Sequence, residues 1–435
     1  MRTPLLVLSL ALLVSSCTAK ASFELADAAV AADTVAADSG SAADPLEITW
    51  DQLSLGCAKM GSGAAEHVMC NHGHSFSLHN EGLYERWLYL KDHGITSPNE
   101  AQLMMHGPLG TGTLPEPMTP LLRARLGEQT RIRVVSYGGT QFHTFHLHGH
   151  LWKDDGQLVD NVTLGPMEVY DKAQFYAGAY ADKPELRGGV GDWMYHCHVE
   201  VHALTGMWGL FRVLPTEVTA STGEDLPDSA GHYPHELPIP AGNPGDTREI
   251  YVVAAEVPLT IARSYSLADK ALEPVQRLAR LYVPMPDAQG FQAATAESIA
   301  KQLENQAETW QPWVLSLWLN QTVHVHLKNV MADVPVSLHP HGVKYANSED
   351  GTMPEDVAQP GGPEVVMTWT ADTAGTWPLH DHARAIENIG RGLFAAIVVQ
   401  DPAEKPKLVR DYVIFLHDFD MDWVMGANQP TGDGH

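Results

Sequence analysis

The stretch from Asp192 to Met207, D-W-M-Y-H-C-H-V-E-V-H-A-L-T-G-M, constrains this chain more than any other. His196, Cys197 and His198 are consecutive, and His202 and Met207 follow at short range. In an extended strand successive side chains point to opposite faces. His196 and His198 therefore share one face, and Cys197 takes the other. Cys197 with His202 and Met207 makes most of a blue-copper site, whose diagnostic set is two histidines, one cysteine and a weak axial methionine. A half-buried strand with incidental histidines is the plainer alternative. Soft and imidazole ligands gathered this densely favour copper, and one imidazole remains to be found.

Residues 141–152, Q-F-H-T-F-H-L-H-G-H-L-W, supply it. His146 and His148 share a strand face by period two, and His143, at an odd offset, takes the opposite one. One face then collects His146, His148, His196 and His198, and the other His143, Cys197 and His202. Gly149 bends the chain here, and His150 is read as structural. The pattern recurs downstream. V-S-L-H-P-H-G-V-K-Y places His339 and His341 two apart, and G-T-W-P-L-H-D-H-A-R-A-I-E-N-I-G-R-G-L-F parallels the opening stretch. His380 and His382 correspond to His196 and His198, with Asp381 where Cys197 stood. Val336 stands at the position of His143 and Ile386 at that of His202, and no methionine matches Met207. His324 and His326 share a face upstream with nothing pairing them.

H-T-F-H-L-H-G-H together with H-C-H-V-E-V-H-A-L-T-G-M resembles the paired copper motifs of the multicopper oxidases, the laccase and ceruloplasmin superfamily. The resemblance implies an all-β fold of tandem cupredoxin (Greek-key β-sandwich) domains and a copper cofactor. It implies type 1 copper on His143, Cys197, His202 and Met207. Type 2 copper falls to His146 and His339, and the type 3 pair to His148, His196, His198, His341, His380 and His382. Asp350 and Asp381 are candidates for proton delivery. Each domain brings half of the eight imidazoles, so the likeness to small two-domain laccases implies a homotrimer with clusters at its interfaces, a heterologous contact whose rotation closes. Type 1 copper lies in the first domain here, unlike the better-known members. The implied activity is one-electron oxidation of phenols or aromatic amines coupled to reduction of dioxygen to water. A metallo-oxidase acting on Cu(I), Fe(II) or Mn(II), a copper nitrite reductase and a copper-storage lipoprotein are the alternatives.

Around these motifs the chain divides. Residues 1–17 read as a secretory signal ending in a lipoprotein box at Cys17, which implies a periplasmic, outer-membrane-anchored or secreted protein. Residues 18–45, rich in alanine and aspartate, cannot build a core and read as a tether. The first domain spans 46–215, a linker rich in proline, glycine and acidic residues spans 216–246, and the second domain spans 247–402. The second domain carries a partly helical insertion at about 258–312, with 267–281 and 294–309 read as helices. A C-terminal extension, 403–435, contains an edge-strand pattern. Cys57 and Cys70 are left for a disulfide in an oxidising compartment. A reduced pair, or a small metal site with His67, His72 and His74, is the alternative. The formal charge of −26 argues against nucleic acid or an anionic membrane surface as a partner.

Overall fold

A computed structural model describes residues 81–94, 117–137, 141–178, 189–216, 227–228, 231–304, 310–404 and 409–418 in full. It also gives the backbone of 57–60, 67–70 and 74–76. The expected signal, Cys17, the 18–45 tether and His72 lie outside the described residues.

In chain order the strands begin with β1 (Cys57–Met60), β2 (His67–Cys70) and β3 (His74–Phe76), followed by helix α1 (Leu83–Asp92). The first sandwich is built from β4 (Leu122–Arg125), β5 (Gln129–Ser136), β6 (His143–Leu147), β7 (Trp152–Asp154), β8 (Gln157–Val159), β9 (Asn161–Leu164), β10 (Val169–Tyr176), β11 (Gly191–Cys197), helix α2 (Glu200–Leu204) and β12 (Trp208–Leu214). The second begins with the long hairpin β13 (Thr247–Ser266) and β14 (Ala271–Met285), then helices α3 (Ala288–Ala293) and α4 (Ala296–Glu304). It continues with β15 (Trp313–Trp318), β16 (Thr322–Asn329), β17 (His339–Pro340), β18 (Val365–Thr370), β19 (Gly375–His380), helix α5 (Ala385–Gly390) and β20 (Phe394–Gln400). The last strand is β21 (Arg410–Asp418).

Two β-sandwiches of cupredoxin type result. In the first, the sheet β4-β12-β11-β6-β9 faces the sheet β10-β5-β21-β3. Leu122, Ile132, Phe145, Tyr195, Phe211 and Ile414 fill the space between them with almost no exposure. In the second, β15-β20-β19-β17 faces the sheet that contains β13, β16 and β18, over a core that includes Leu315, Val325, Trp369 and Ile397. Alternation along each strand sends one face to the core, as sandwich packing requires.

The C-terminal extension differs from its reading as an edge strand. β21 runs parallel to β5 from Arg410↔Thr130 to Leu416↔Ser136, and antiparallel to β3 on its other side. It is an interior strand of the first sandwich, although the second sandwich precedes it in the chain. Its alternation explains why: Tyr412, Ile414 and Leu416 enter the first core, while Phe415 joins Val135, Tyr137, Phe394 and Ala396 between the sandwiches. Part of the linker is also drawn in, since Leu237 N–H donates to Asp411 O at 2.7 Å.

The helix expected over 267–281 is a strand. β14 pairs with β13 from Ser266↔Ala271 to Tyr251↔Met285. Leu278, Ala279, Arg280 and Leu281 have good helix propensity, but Pro274 and Pro284 break any helix there, and a long tertiary partner overrides a weak local preference. The second expected helix is present as α4, with Ile299 and Leu303 buried one turn apart. Cys57 lies opposite Cys70 in the β1–β2 register; the side chains that would form the disulfide lie outside the described residues.

Interior placement of β21 carries a testable consequence. Ile414→Ala removes a fully buried side chain at the centre of the first core and should cost about 2–5 kcal/mol. Urea unfolding would measure this, and a loss typical of a surface position would contradict it.

Candidate metal centre

Pairing of β6 with β11 sets the geometry. Their antiparallel register puts His146 opposite His196 and Phe145 opposite Cys197. Phe145, Leu147, Tyr195 and Cys197 therefore point into the core, and the histidines point out of it.

On the core side, ligand atoms of His143, Cys197 and His202 all lie within 4.8 Å of one another. His202 Nδ1 is 3.5 Å from Cys197 Sγ and 3.2 Å from His143 Nδ1, and the His143 Nδ1–Cys197 Sγ distance is 3.9 Å. Met207 is fully buried beside them, held by its N–H to His202 O and by Cys197 N–H to its own carbonyl. Gln141 Oε1 accepts from His202 Nε2–H at 2.7 Å, which leaves Nδ1 as a lone pair aimed inward. Two imidazole nitrogens and a sulfur converging without solvent suit a soft cation. Burial pushes the Cys197 thiol up to about 11, so a metal bound there displaces its proton.

On the outward side, the four first-half histidines cluster. His146 Nδ1 donates to Asp160 O at 2.9 Å and His196 Nδ1 to Cys197 O at 2.9 Å. Each carbonyl fixes the tautomer and turns Nε2 toward the cluster, as second ligand shells do for metal-binding histidines. His148 Nε2 and His196 Nε2 meet at 3.0 Å. Ring centroids of His198 lie 5.3 Å from His146 and 5.4 Å from His196.

The second half repeats this arrangement. His339 lies opposite His380 across β17–β19. His339 Nδ1 donates to Asp350 O at 2.7 Å and His380 Nδ1 to Asp381 O at 2.9 Å. His341 Nε2 and His380 Nε2 meet at 3.1 Å, and His382 lies 5.1 Å from His339 between ring centroids. A left-handed glycine follows each pair, Gly149 (φ 67°) against Trp193 and Gly342 (φ 66°) against Trp377. A β-carbon would come within 2.2 and 1.9 Å of those indoles. Among the described residues, each converging group draws its histidines from one half. His198 and His382 are the exposed member of each set.

Asp350 has its carboxylate 3.4 Å from His339 Nδ1, with Thr352 hydroxyl donating to it. Asp381 is fully buried, and its carboxylate bonds Ser337, Arg384 and Asn388 and none of the histidines. Ile386 is 96% exposed and does not fill the place of His202. Instead Asn388, fully buried, donates to Asp381. The sequence pairing failed because His380 pairs with Phe394, fourteen positions on, where His196 pairs with Trp208, twelve positions on, so Asn388 and not Ile386 falls six residues before the strand partner, as His202 does.

Several contacts lay outside sequence reasoning. Gln141 orients His202, and Asp418 of β21 brings its carboxylate within 3.6 Å of His143 Nε2. His150 donates from Nδ1 to His148 O and accepts from Gly178 N–H, holding the backbone of a cluster histidine. Glu249 joins both His324 and His326 at 2.8 Å, a partner in the parallel strand β13 that no local spacing announces. Asp154 and Asp155, acidic residues near His150, pair with Lys172.

Burial holds the histidines neutral: His148, His150 and His380 fall to about 4 and His196 to about 3, with desolvation as the largest cause. A histidine depressed below its unfolded value of about 6.5 contributes stability that is complete above that value and lost as pH falls through the folded one. Metal-free protein should therefore lose melting temperature steadily between about pH 6.5 and pH 4. Calorimetry at stepped pH checks this; a flat profile would contradict the burial of these imidazoles.

Two family models described as multicopper oxidase match this chain, over residues 88–217 and 308–404, together more than half of it. The chain is 33% identical over 93 residues to a probable nitrite reductase-hydroxylamine oxidoreductase fusion protein of Kuenenia stuttgartiensis, covering 21% of this chain and 10% of that protein. It is 29% identical over 101 residues to ceruloplasmin of Rattus norvegicus, covering 23% and 9%. The chain thus spans about a tenth of the length of these curated relatives. Among solved structures it is similar to a multicopper oxidase at 18% identity, covering 65% of this chain and 78% of that one, with a TM-score of 0.19.

Proposed function

This chain belongs to the multicopper oxidases, copper-dependent oxidoreductases, and on that premise we propose a laccase-like enzyme that oxidises small donors one electron at a time. Dioxygen is the acceptor. His143, Cys197, His202 and Met207 hold the type 1 copper. His146 and His339 hold type 2, and His148, His196, His198, His341, His380 and His382 hold the type 3 pair. Copper so bound supplies single-electron transfer at the cysteine and four-electron reduction of dioxygen at the histidines. The observation that carries this reading is the doubled outward array, in which His146, His196, His339 and His380 each have one nitrogen tied to a carbonyl.

The residues divide the work. Cys197 sits one peptide bond from His196 and one from His198, so the donor site and the cluster share a short covalent path. Gln141 keeps His202 Nδ1 unprotonated, and the packed core around Cys197 keeps water from it. Asp350, beside His339 and in part open to solvent, is positioned to pass protons inward. Asp381, closed off from water, serves differently, as argued below.

The cluster closes between copies of the chain, first half against second, in a homotrimer. Support comes from the exposed His198 and His382 and from Ile386, an apolar side chain 96% exposed on the helix that follows His382. Export, by the leader ending at Cys17, completes the proposal.

Nitrite reduction is the second reading, favoured by the likeness to the nitrite reductase fusion protein. A single type 2 copper would leave most of the eight histidines unused, which favours dioxygen. Oxygen uptake with phenols, aromatic amines, Cu(I), Fe(II) and Mn(II), run beside nitrite consumption, separates these readings and identifies the donor. Cys197→Ser should abolish blue absorbance and donor oxidation while leaving the other coppers bound; a variant that stays blue would sink the assignment. Dilution should abolish oxygen reduction as the assembly dissociates, followed by activity against light-scattering mass. Full activity in a monomer would rule out the shared cluster.

A further inference from the structure

We propose that Asp381 is the positioning residue of the second half-site, holding by hydrogen bonds the arrangement that a metal-bound thiolate holds in the first. The proposal rests on the reading of the eight histidines as copper ligands.

Three donors converge on this buried carboxylate. Its Oδ1 accepts from Ser337 N–H at 2.8 Å, and its Oδ2 accepts from Arg384 N–H at 2.8 Å and Asn388 Nδ2–H at 2.9 Å. Its own carbonyl accepts from His380 Nδ1–H, and the Ser337 hydroxyl accepts from His382 N–H at 3.0 Å. One side chain therefore joins the strand leading to His339 and His341, the loop bearing His380 and His382, and helix α5. Asn388 is anchored in turn by Arg280 at 2.6 Å, and Arg280 also meets Glu256 and Glu387.

The first half has the same frame with different chemistry. Cys197 Sγ accepts from Thr144 N–H at 3.3 Å, the counterpart of the Ser337 contact. Val199 N–H also bonds the sulfur, and beside it stand His143 and His202, which a cation would draw together. In the second half Val336 is buried where His143 stood, and Asn388 takes the place of His202 with a donor for the carboxylate. A carboxylate with every neighbour a donor needs no metal to hold its corner. The second half-site is thus preorganised before copper arrives, whereas the first completes its corner on binding copper at Cys197. Partners behind metal ligands commonly change metal affinity by about 10–100-fold when removed.

Asp381→Asn tests the proposal, because it turns one oxygen that faces donors into a donor. Full-length wild type and variant, stripped of metal, are titrated with Cu(I) under anaerobic conditions and then oxidised for visible and EPR spectra. The variant should keep the blue band of the first-half site, while half-saturation of the remaining coppers rises by about tenfold or more and the type 2 EPR signal changes. Wild-type half-saturation in a folded Asp381→Asn protein would overturn the role, even with a lowered melting temperature, since a merely structural residue would do that. If Asp381→Asn does not fold, Asn388→Ala, which removes one donor, carries the same test, and unchanged copper binding overturns the proposal. Wild type that binds no copper beyond the blue site would instead overturn the reading of the eight histidines, and this proposal with it.

Discussion

Antiparallel pairing of β6 with β11 is the constraint on which the rest depends. With His146 opposite His196, strand parity sends Cys197 into an apolar core and the flanking histidines to the opposite face. A slip of one residue would exchange those faces, exposing the thiol and burying the imidazoles. The core fixes the register, because Phe145, Leu147 and Tyr195 share the face of Cys197 and must be buried with it. Hydrophobic packing thereby decides which face each candidate ligand takes.

The second sandwich uses the same pairing, His339 opposite His380, with the sulfur corner rebuilt. Asp381, Asn388 and Val336 replace a sulfur and two imidazoles by a carboxylate, the amide that donates to it and an apolar residue. Such a replacement stays folded only if each buried polar atom finds a partner, and the three donors on Asp381 meet that condition. The first half therefore gathers a sulfur and two imidazoles in its core, and the second places a carboxylate there.

The two sandwiches are joined by more than a linker. β21 returns from the second to become an interior strand of the first, and Arg133 bonds both Asp411 of that strand and Thr376 of the second sandwich. Tyr137 stacks on Phe394 at 4.6 Å and accepts from Leu379 N–H beside His380. The end of β5 thus supports a strand that bears a cluster histidine. The relative position of the two halves is held by buried contacts along β5 and β21.

Much of the candidate site was legible because strand chemistry is local. Period two separates His143 and Cys197 from His146, His148, His196 and His198, and the repeat of that spacing at His339, His341, His380 and His382 needs no structure to see. Local pattern failed where a distant partner decides. Leu278 to Leu281 read as helix until β13 pairs with them; Ile386 read as the counterpart of His202 until the pairing of His380 with Phe394 puts Asn388 there. β21 read as an edge until β5 and β3 enclose it, and Glu249 reaches His324 and His326 only because a parallel strand lies alongside. Residue types and their alternation placed the candidate ligands on opposite strand faces, since that depends on neighbours in sequence, and the motifs they form carried the resemblance that implied the all-β class. The tertiary structure alone decided which strand fills the first sandwich, which side chains orient the imidazoles, and which donors hold the carboxylate that stands where the sulfur did. Those outcomes depend on burial and pairing between residues far apart in the chain, and spacing carries no record of them.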